Sequence, residues 1–363
     1  MFAKPPSLPR VAVSFISLAI GLQAARAQND APDMDMTDPR LLQLHVNAPP
    51  LTTELDANGL PPGFVLVDGD MVVPAQALGG VLAATYETNL WPGVVPYVFD
   101  SNVSMANRVE TIASMQAVEA VCTLRFVPWD FDAFIWVRIR DSSSDSNPGN
   151  NSQVGMSFPA QILNMTSWTG TPGPNWILVH ELGHLIGFYH EHTRPDRGNF
   201  VTINTNNIQD GRGDQFELEG SADAYGPYDF DSIMHYARCA FSIGCPTACT
   251  TCTPAQQTIT VHPPYTSQWQ NNIGQRTHLS YWDSLVMSFL YRRPEWRFQA
   301  AGGDDGGPGD FLDPYETFRE GWEDTPPGGT LWVMYPSTHG GVDWVLDKPM
   351  TIAAPLGGVV LAR

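Results

Sequence analysis

The chain has 363 residues, enough for one large or two ordinary domains at about 100–200 residues each. Its formal net charge of −19 argues against nucleic acid and anionic membrane surfaces as partners, because both are bound through basic patches. Five cysteines supplement a core of this size and do not replace one.

Lys4 and Arg10 precede an apolar run at 11–22 that closes on Ala25-Arg26-Ala27, a small-x-small pattern before Gln28. The run falls short of the about 20 residues that a bilayer span needs, so 1–27 is expected to be a cleaved secretory signal. No later stretch approaches membrane-spanning length, and the mature protein is expected to be soluble and exported, with no membrane contact after cleavage. Residues from 28 to about 80 are rich in proline, aspartate and small side chains, with short apolar runs at 64–67 and 71–73 on either side of Asp68-Gly69-Asp70. Composition alone makes this segment a flexible leader.

A folded domain is expected from Trp91 onward. Residues 94–99 predict a buried strand, and Asp100-Ser101 starts a helix that places Met105, Val109, Ile112, Ala113 and Ala120 at helical spacing. Strands are expected at 125–127 and 135–139, a loop at 142–151, and a short edge strand at Val154-Gly155-Met156.

The stretch that carries chemistry follows at 175–197. In a helix over 175–186, His180 and His184 lie four residues apart on one face and can share one ion. Gly187 can take a left-handed conformation, stop the helix and turn the chain so that His190 supplies a third nitrogen. Three neutral imidazoles leave a tetrahedral zinc with one open corner, where a water falls to a pKa of about 7. Glu181, offset by about 100° from His180, can face that water as a general base without competing for the metal. His-Glu-x-x-His occurs by accident on surface helices, but the added Gly187 and His190, within an otherwise apolar segment, make a metal site the stronger reading.

Cys239, Cys245, Cys249 and Cys252 fall close together. In an exported protein they are expected to form two disulfides, with three pairings open; a second zinc site is the alternative. A helix is expected at 279–291. Beyond Pro294, the Gly- and Asp-rich stretch 302–310 is linker-like and lacks EF-hand spacing. Short strand-like runs at 330–334, 344–345, 350–352 and 359–361 alternate with Gly and Pro turns, a small β-rich module of one or two solenoid coils.

The run from His180 to Arg197, with Gly187-Phe-Tyr-His190-Glu191-His192 and Asp196-Arg197, together with Ser232-Ile-Met234-His235-Tyr236, closely resembles the astacin family of zinc endopeptidases, within the metzincin superfamily. Leu90-Trp91-Pro92-Gly93, the stretch 122–128 and the stretch 273–283 echo the same family, so the resemblance covers about 84–292. It implies an α+β, two-lobed metzincin-type zinc protease domain. A twisted mixed sheet and long helices form its N-terminal lobe, a less regular second half faces them across a cleft, and the small β-rich C-terminal module follows. The resemblance divides the chain into a signal (1–27), a propeptide (28–83), the catalytic domain (84–293) and a linker with the module (294–363).

The resemblance also implies roles for single residues. Met234 is the apolar floor under the zinc in a tight turn, and Tyr236 is a tyrosine that swings from the metal to donate a hydrogen bond to the oxyanion. Glu191 contacts the new N-terminus of the mature enzyme. Val67-Asp68-Gly69-Asp70-Met71 is similar to the propeptide motif whose aspartate closes the open zinc corner, making Asp70 a zinc switch that cleavage between about 79 and 85 would release. The edge strand at Val154 would pair with substrate backbone, and a preference for acidic residues just after the scissile bond is common in the family. The cysteines depart from the pattern: Cys122 matches one that pairs just after the last helix, where Tyr291 to Pro294 offers none, so Cys122 is expected to be free and buried.

The expectation is a secreted zinc-dependent endopeptidase made as a zymogen, with one Zn2+ per chain held by His180, His184 and His190. Glu181 and Tyr236 are its catalytic residues, and proteins or peptides are its substrates. The rival is an exported zinc-binding adhesion protein without proteolytic activity; the presence of Glu181 speaks against it, since a structural site needs ligands but no base. Oligomeric state is not legible.

Overall fold

The computed structural model describes residues 60, 64–67, 70–74, 90–129, 135–146, 148–157, 161–219, 224–245, 252–291, 295–300, 303–309, 314–333, 337–339, 348–353 and 359–361. The expected signal at 1–27, the expected cleavage region at 79–85, the strand expected at 344–345 and Cys249 lie outside these residues.

A seven-stranded mixed sheet is the frame of the N-terminal half. Its strands are β1 (Phe64–Val67), β2 (Met71–Pro74), β3 (Val94–Phe99), β4 (Arg125–Pro128), β5 (Val137–Asp141), β6 (Asn151–Gln153) and β7 (Gln161–Met165), in the order β1-β2-β6-β7-β5-β3-β4. The pairs β3 with β4, β3 with β5 and β5 with β7 are parallel, whereas β6 runs antiparallel to β7. Helices α1 (Met105–Glu119) and α2 (Trp176–Leu185) contribute Ile112, Met115, Leu178 and Leu182 to the same core as Val95, Phe99, Ile139 and Leu163 of the strands. Strand β3, paired in parallel on both sides and mostly buried, accounts for the continuous apolar run at Val94–Phe99.

Three boundaries differ from expectation. The first helix starts at Met105 because Ser104, and not Asp100 or Ser101, is the N-cap: its hydroxyl accepts the Asn107 N–H at 3.2 Å. The strand expected at 135–139 lies at Val137–Asp141. The edge strand expected at 154–156 lies at Asn151–Gln153, starting on the last residue of the expected loop; its residues are held by Asn164 Nδ2 donating to Asn151 Oδ1 at 3.0 Å and by Ile162 N–H donating to Gln153 Oε1. Val154-Gly155 turns away instead, and Gly155 N–H donates to the His184 carbonyl at 2.9 Å.

The second half is less regular. Strands β8 (Val201–Ile203) and β9 (Ile259–Val261) pair antiparallel over a second apolar cluster that includes Phe216, Phe230, Tyr236 and Ile273. Helix α3 (Tyr281–Leu290) opens on a capping box between Ser280 and Asp283. Cys239 and Cys252 form a disulfide and Cys245 is also disulfide-bonded, so these residues staple a loop and do not build a second zinc site. Cys122 is a buried thiol outside any disulfide; at the place where a bridge would have formed, Thr123 N–H and its hydroxyl both donate to the Tyr291 carbonyl at 3.2 Å.

Beyond α3, strands lie at Thr330–Val333, Thr351–Ala353 and Val359–Leu361, where short strand-like runs were expected. Strands β10 (Trp296–Gln299), β11 (Thr330–Val333) and β13 (Thr351–Ala353) form a parallel sheet, and β12 (Ser337–His339) pairs parallel with β14 (Val359–Leu361). Helix α4 (Phe318–Asp324), unforeseen in the sequence, covers Leu331 and Val333 with Phe318 and Trp322. On its other side Trp332 and Phe298 pack on Leu285 and Tyr281 of α3.

Candidate metal centre

Helix α2 is fixed at its start by Asn175, whose side-chain oxygen accepts from Ile177 and Leu178 N–H while its amide donates to buried Glu110. Its end is set by Gly187. At φ 107° this residue lies in the region that a Cβ disfavours, and its N–H and that of Phe188 close on the His184 and Gly183 carbonyls. The chain then folds back and brings His190 beside the helix. The ring centroids of His180, His184 and His190 stand 4.7 to 5.4 Å apart.

Hydrogen bonds set which nitrogen of each helical imidazole faces inward. Nδ1 of His180 donates to the Ile233 carbonyl at 2.9 Å and Nδ1 of His184 donates to the Phe188 carbonyl at 2.7 Å, leaving Nε2 with its lone pair on both rings. Burial, reinforced by the Arg276 charge, holds His180 well below its usual pKa, and burial also lowers that of His184. Neutral imidazole is the form that binds a metal.

Asp70 completes the cluster from the N-terminal hairpin. Its Oδ2 is 3.1 Å from Nε2 of His180, and its Oδ1 is 3.1 Å from Nε2 of His190 and 3.6 Å from Nε2 of His184. Burial would raise this carboxyl, but the His190 charge and the close approach of the three imidazoles hold it well below the ordinary range. All four donor atoms lie within 4.8 Å of one another. Neighbouring ligand atoms around a tetrahedral zinc, at about 2.0–2.1 Å from the ion, stand about 3.3 Å apart. The three Asp70–imidazole separations of 3.1–3.6 Å bracket that value, and the buried Nε2 of His184 and Oδ1 of Asp70 have no hydrogen-bond partner. The residues therefore fit a zinc ion.

Glu181 is 1% exposed, and its Oε2 has no hydrogen-bond partner. Burial, then the Asp70 charge, push its pKa well above the usual value, with Arg276 acting in the opposite direction. Met234 lies beneath the helix: a Cβ on Gly183 would stand 2.7 Å from its sulfur, which accounts for the glycine between the two histidines. Tyr236 packs its ring 4.4 Å from that of His190 and stacks on His192 at 4.1 Å. Glu191 is turned away from the cluster. It accepts from Arg194 at 3.1 Å and from Asp229 N–H at 2.7 Å, beside a small cavity lined by Tyr189, Tyr225, Trp282 and Asp283, and burial raises its pKa to about 7 against the pull of Arg194.

Two residues of this region were not singled out in the sequence. Arg276 donates to the His235 carbonyl at 3.1 Å, and its charge acts on Asp70, Glu181 and Tyr236. Asp283 bonds the turn that carries Met234. No periodicity or spacing marks either one, because both reach the centre across long stretches of chain.

Residues 83–292 match the sequence profile of Astacin (Peptidase family M12A). Among curated proteins, human Tolloid-like protein 1 is 38% identical over 218 residues, covering 58% of this chain and 20% of its own length. Zinc metalloproteinase nas-14 of Caenorhabditis elegans is 30% identical over 236 residues, covering 64% and 43%. The chain thus spans less than half the length of these relatives. Among solved structures, High choriolytic enzyme 1, a hatching enzyme zinc-protease from Oryzias latipes, is similar at 29% identity and a TM-score of 0.47, over 56% of this chain and 95% of that one.

Proposed function

The chain belongs to the astacin family of zinc metalloendopeptidases, and from that premise we propose that it is an exported endopeptidase, made as a zymogen in which Asp70 occupies the corner that catalysis needs. His180, His184 and His190 hold the zinc. When bound, the ion acidifies a water and polarises the scissile carbonyl. Glu181, buried at the cluster with its pKa raised, takes the proton from the attacking water and passes it to the departing amine. Tyr236 donates a hydrogen bond to the oxyanion, and Met234 serves as the apolar floor. Glu191 awaits the N-terminus that processing creates.

The observation that carries latency is the pairing of the hairpin. Strand β2 adds to β6 in parallel, Met71 opposite Ser152 and Val72 opposite Gln153, with Met71 packed on Tyr189. A substrate that binds by adding a strand needs that same edge of the sheet. Hairpin and substrate therefore exclude each other, and cleavage between 79 and 85 frees both the edge and the metal. The division into 1–27, 28–83, 84–293 and 294–363 and the two-lobed cleft belong to the same reading. Among the described residues no helix is long and apolar enough to cross a membrane, and the signal at 1–27 directs export. The Arg276 charge near the centre supports a preference for an acidic residue just after the scissile bond.

Casein digestion by processed protein, with and without a zinc chelator, tests this function: digestion that the chelator stops and added zinc restores is expected, and digestion indifferent to the chelator would remove the metal from the mechanism.

A further inference from the structure

Asp283 is only 4% exposed and sits in the first turn of α3. Its capping role uses part of its hydrogen-bonding capacity: Oδ2 accepts the Ser280 N–H at 2.9 Å. The rest is spent on another segment, since Oδ2 also accepts the Ile233 N–H at 2.8 Å and Oδ1 accepts the Ser232 hydroxyl at 2.7 Å. The Ser232 oxygen in turn accepts the Met234 N–H at 3.0 Å. Both peptide planes that flank Ile233 are therefore anchored, one directly by Asp283 and the other through Ser232. The second of these planes carries the Ile233 carbonyl, the acceptor for Nδ1–H of His180 at 2.9 Å.

We propose that Asp283 is a positioning residue for the metal centre: it aims the Ile233 carbonyl at His180, fixing the tautomer and ring orientation that direct Nε2 inward. The inference rests on His180 being a zinc ligand, as proposed above. An Ile233 carbonyl free to rotate would let the imidazole tilt or take the other tautomer, with Nε2 protonated and unable to bind. Partners of this kind, one step behind a ligand, typically change metal affinity by about 10–100-fold when removed. Here the partner lies more than a hundred residues from the ligand it serves, on a helix whose opposite side packs on the C-terminal sheet through Leu285.

The test compares Asp283→Asn with Ser280→Ala in the full chain. Both disturb the start of α3, but only the first changes the anchor of Ser232 and Ile233. Zinc affinity is measured by competition with a chelator, and ligand geometry by the visible absorption of the cobalt-substituted protein. Asp283→Asn is expected to weaken zinc about tenfold or more and to alter the cobalt spectrum, whereas Ser280→Ala leaves both as in the unsubstituted chain. Zinc affinity of Asp283→Asn within about twofold of the unsubstituted chain would overturn the proposal. So would equal weakening by Ser280→Ala, which would reduce Asp283 to a helix cap. His180→Ala serves as the separate control: if it binds zinc as the unsubstituted chain does, the ligand assignment fails, whatever Asp283 does.

Discussion

One carboxylate oxygen of Asp70 stands 3.1 Å from Nε2 of His190, at the separation that two ligands of one zinc ion would have. The two residues come from segments 120 positions apart, a hairpin near the start of the described chain and the bend after the active-site helix. Under the proposed function, their meeting would put the group that keeps the enzyme latent and one of the three metal ligands on the same ion.

Asp70→Ala in the unprocessed chain is expected to raise basal proteolysis at least about tenfold, because the fourth corner is then open to water while the hairpin still covers part of the edge. Hydrolysis of a fluorogenic peptide before any processing measures it. Unchanged activity would leave the hairpin as a cover with no part in the metal centre.

Tyr236→Phe in the processed enzyme removes one donor to the developing oxyanion and leaves the ring packed between His190 and His192. A kcat lower by about 10²–10³ with KM little changed is expected. A rise in KM at constant kcat would assign the hydroxyl to substrate binding.

Arg276 gives a prediction about selectivity. Among peptides that differ only in the residue after the scissile bond, Asp is expected to be preferred over Ala, and Arg276→Gln is expected to reduce that preference by about 10–100-fold in kcat/KM, the range of a hydrogen bond to a charged group. A ratio that survives the substitution would move the preference elsewhere in the cleft.

His235 sets a pH dependence of stability. Burial lowers its pKa to about 4, while its Nδ1–H donates to the Tyr236 carbonyl and its Nε2 accepts from the Tyr228 hydroxyl. Between the unfolded value of about 6.5 and the folded one, the unfolded chain binds the proton and the native chain does not, so stability rises with pH. The contribution is full above about pH 6.5 and is lost progressively as pH falls to about 4, a change of roughly 3 kcal/mol. Urea unfolding at pH 4.5 and 7 measures it, with a smaller difference expected for His235→Asn.

The imidazole cluster was legible because its geometry is local. His180, His184, Gly187 and His190 lie within one helix and its stop, so the 3.6-residue period and one glycine conformation are enough to converge them. Asp70 was legible only by resemblance, since nothing in its own neighbourhood says which distant group it will meet. Arg276 and Asp283 escaped for the same reason. The edge strand Asn151–Gln153 escaped for a different one: its polar side chains are satisfied by Asn164 and by backbone, so it lacks the apolar alternation that marks a strand. Strands β11, β13 and β14 lie where the short apolar runs were expected as strands, whereas helix α4 and strands β10 and β12 carried no such signal.

The most direct measurement is the metal content of the purified full chain beside that of Glu181→Ala. One zinc in each, with proteolysis after processing only in the unsubstituted protein, is the expected result: three imidazoles hold the ion and the neighbouring carboxylate moves the proton. A purified chain without tightly held zinc, or a Glu181→Ala variant as active as its parent, would contradict it.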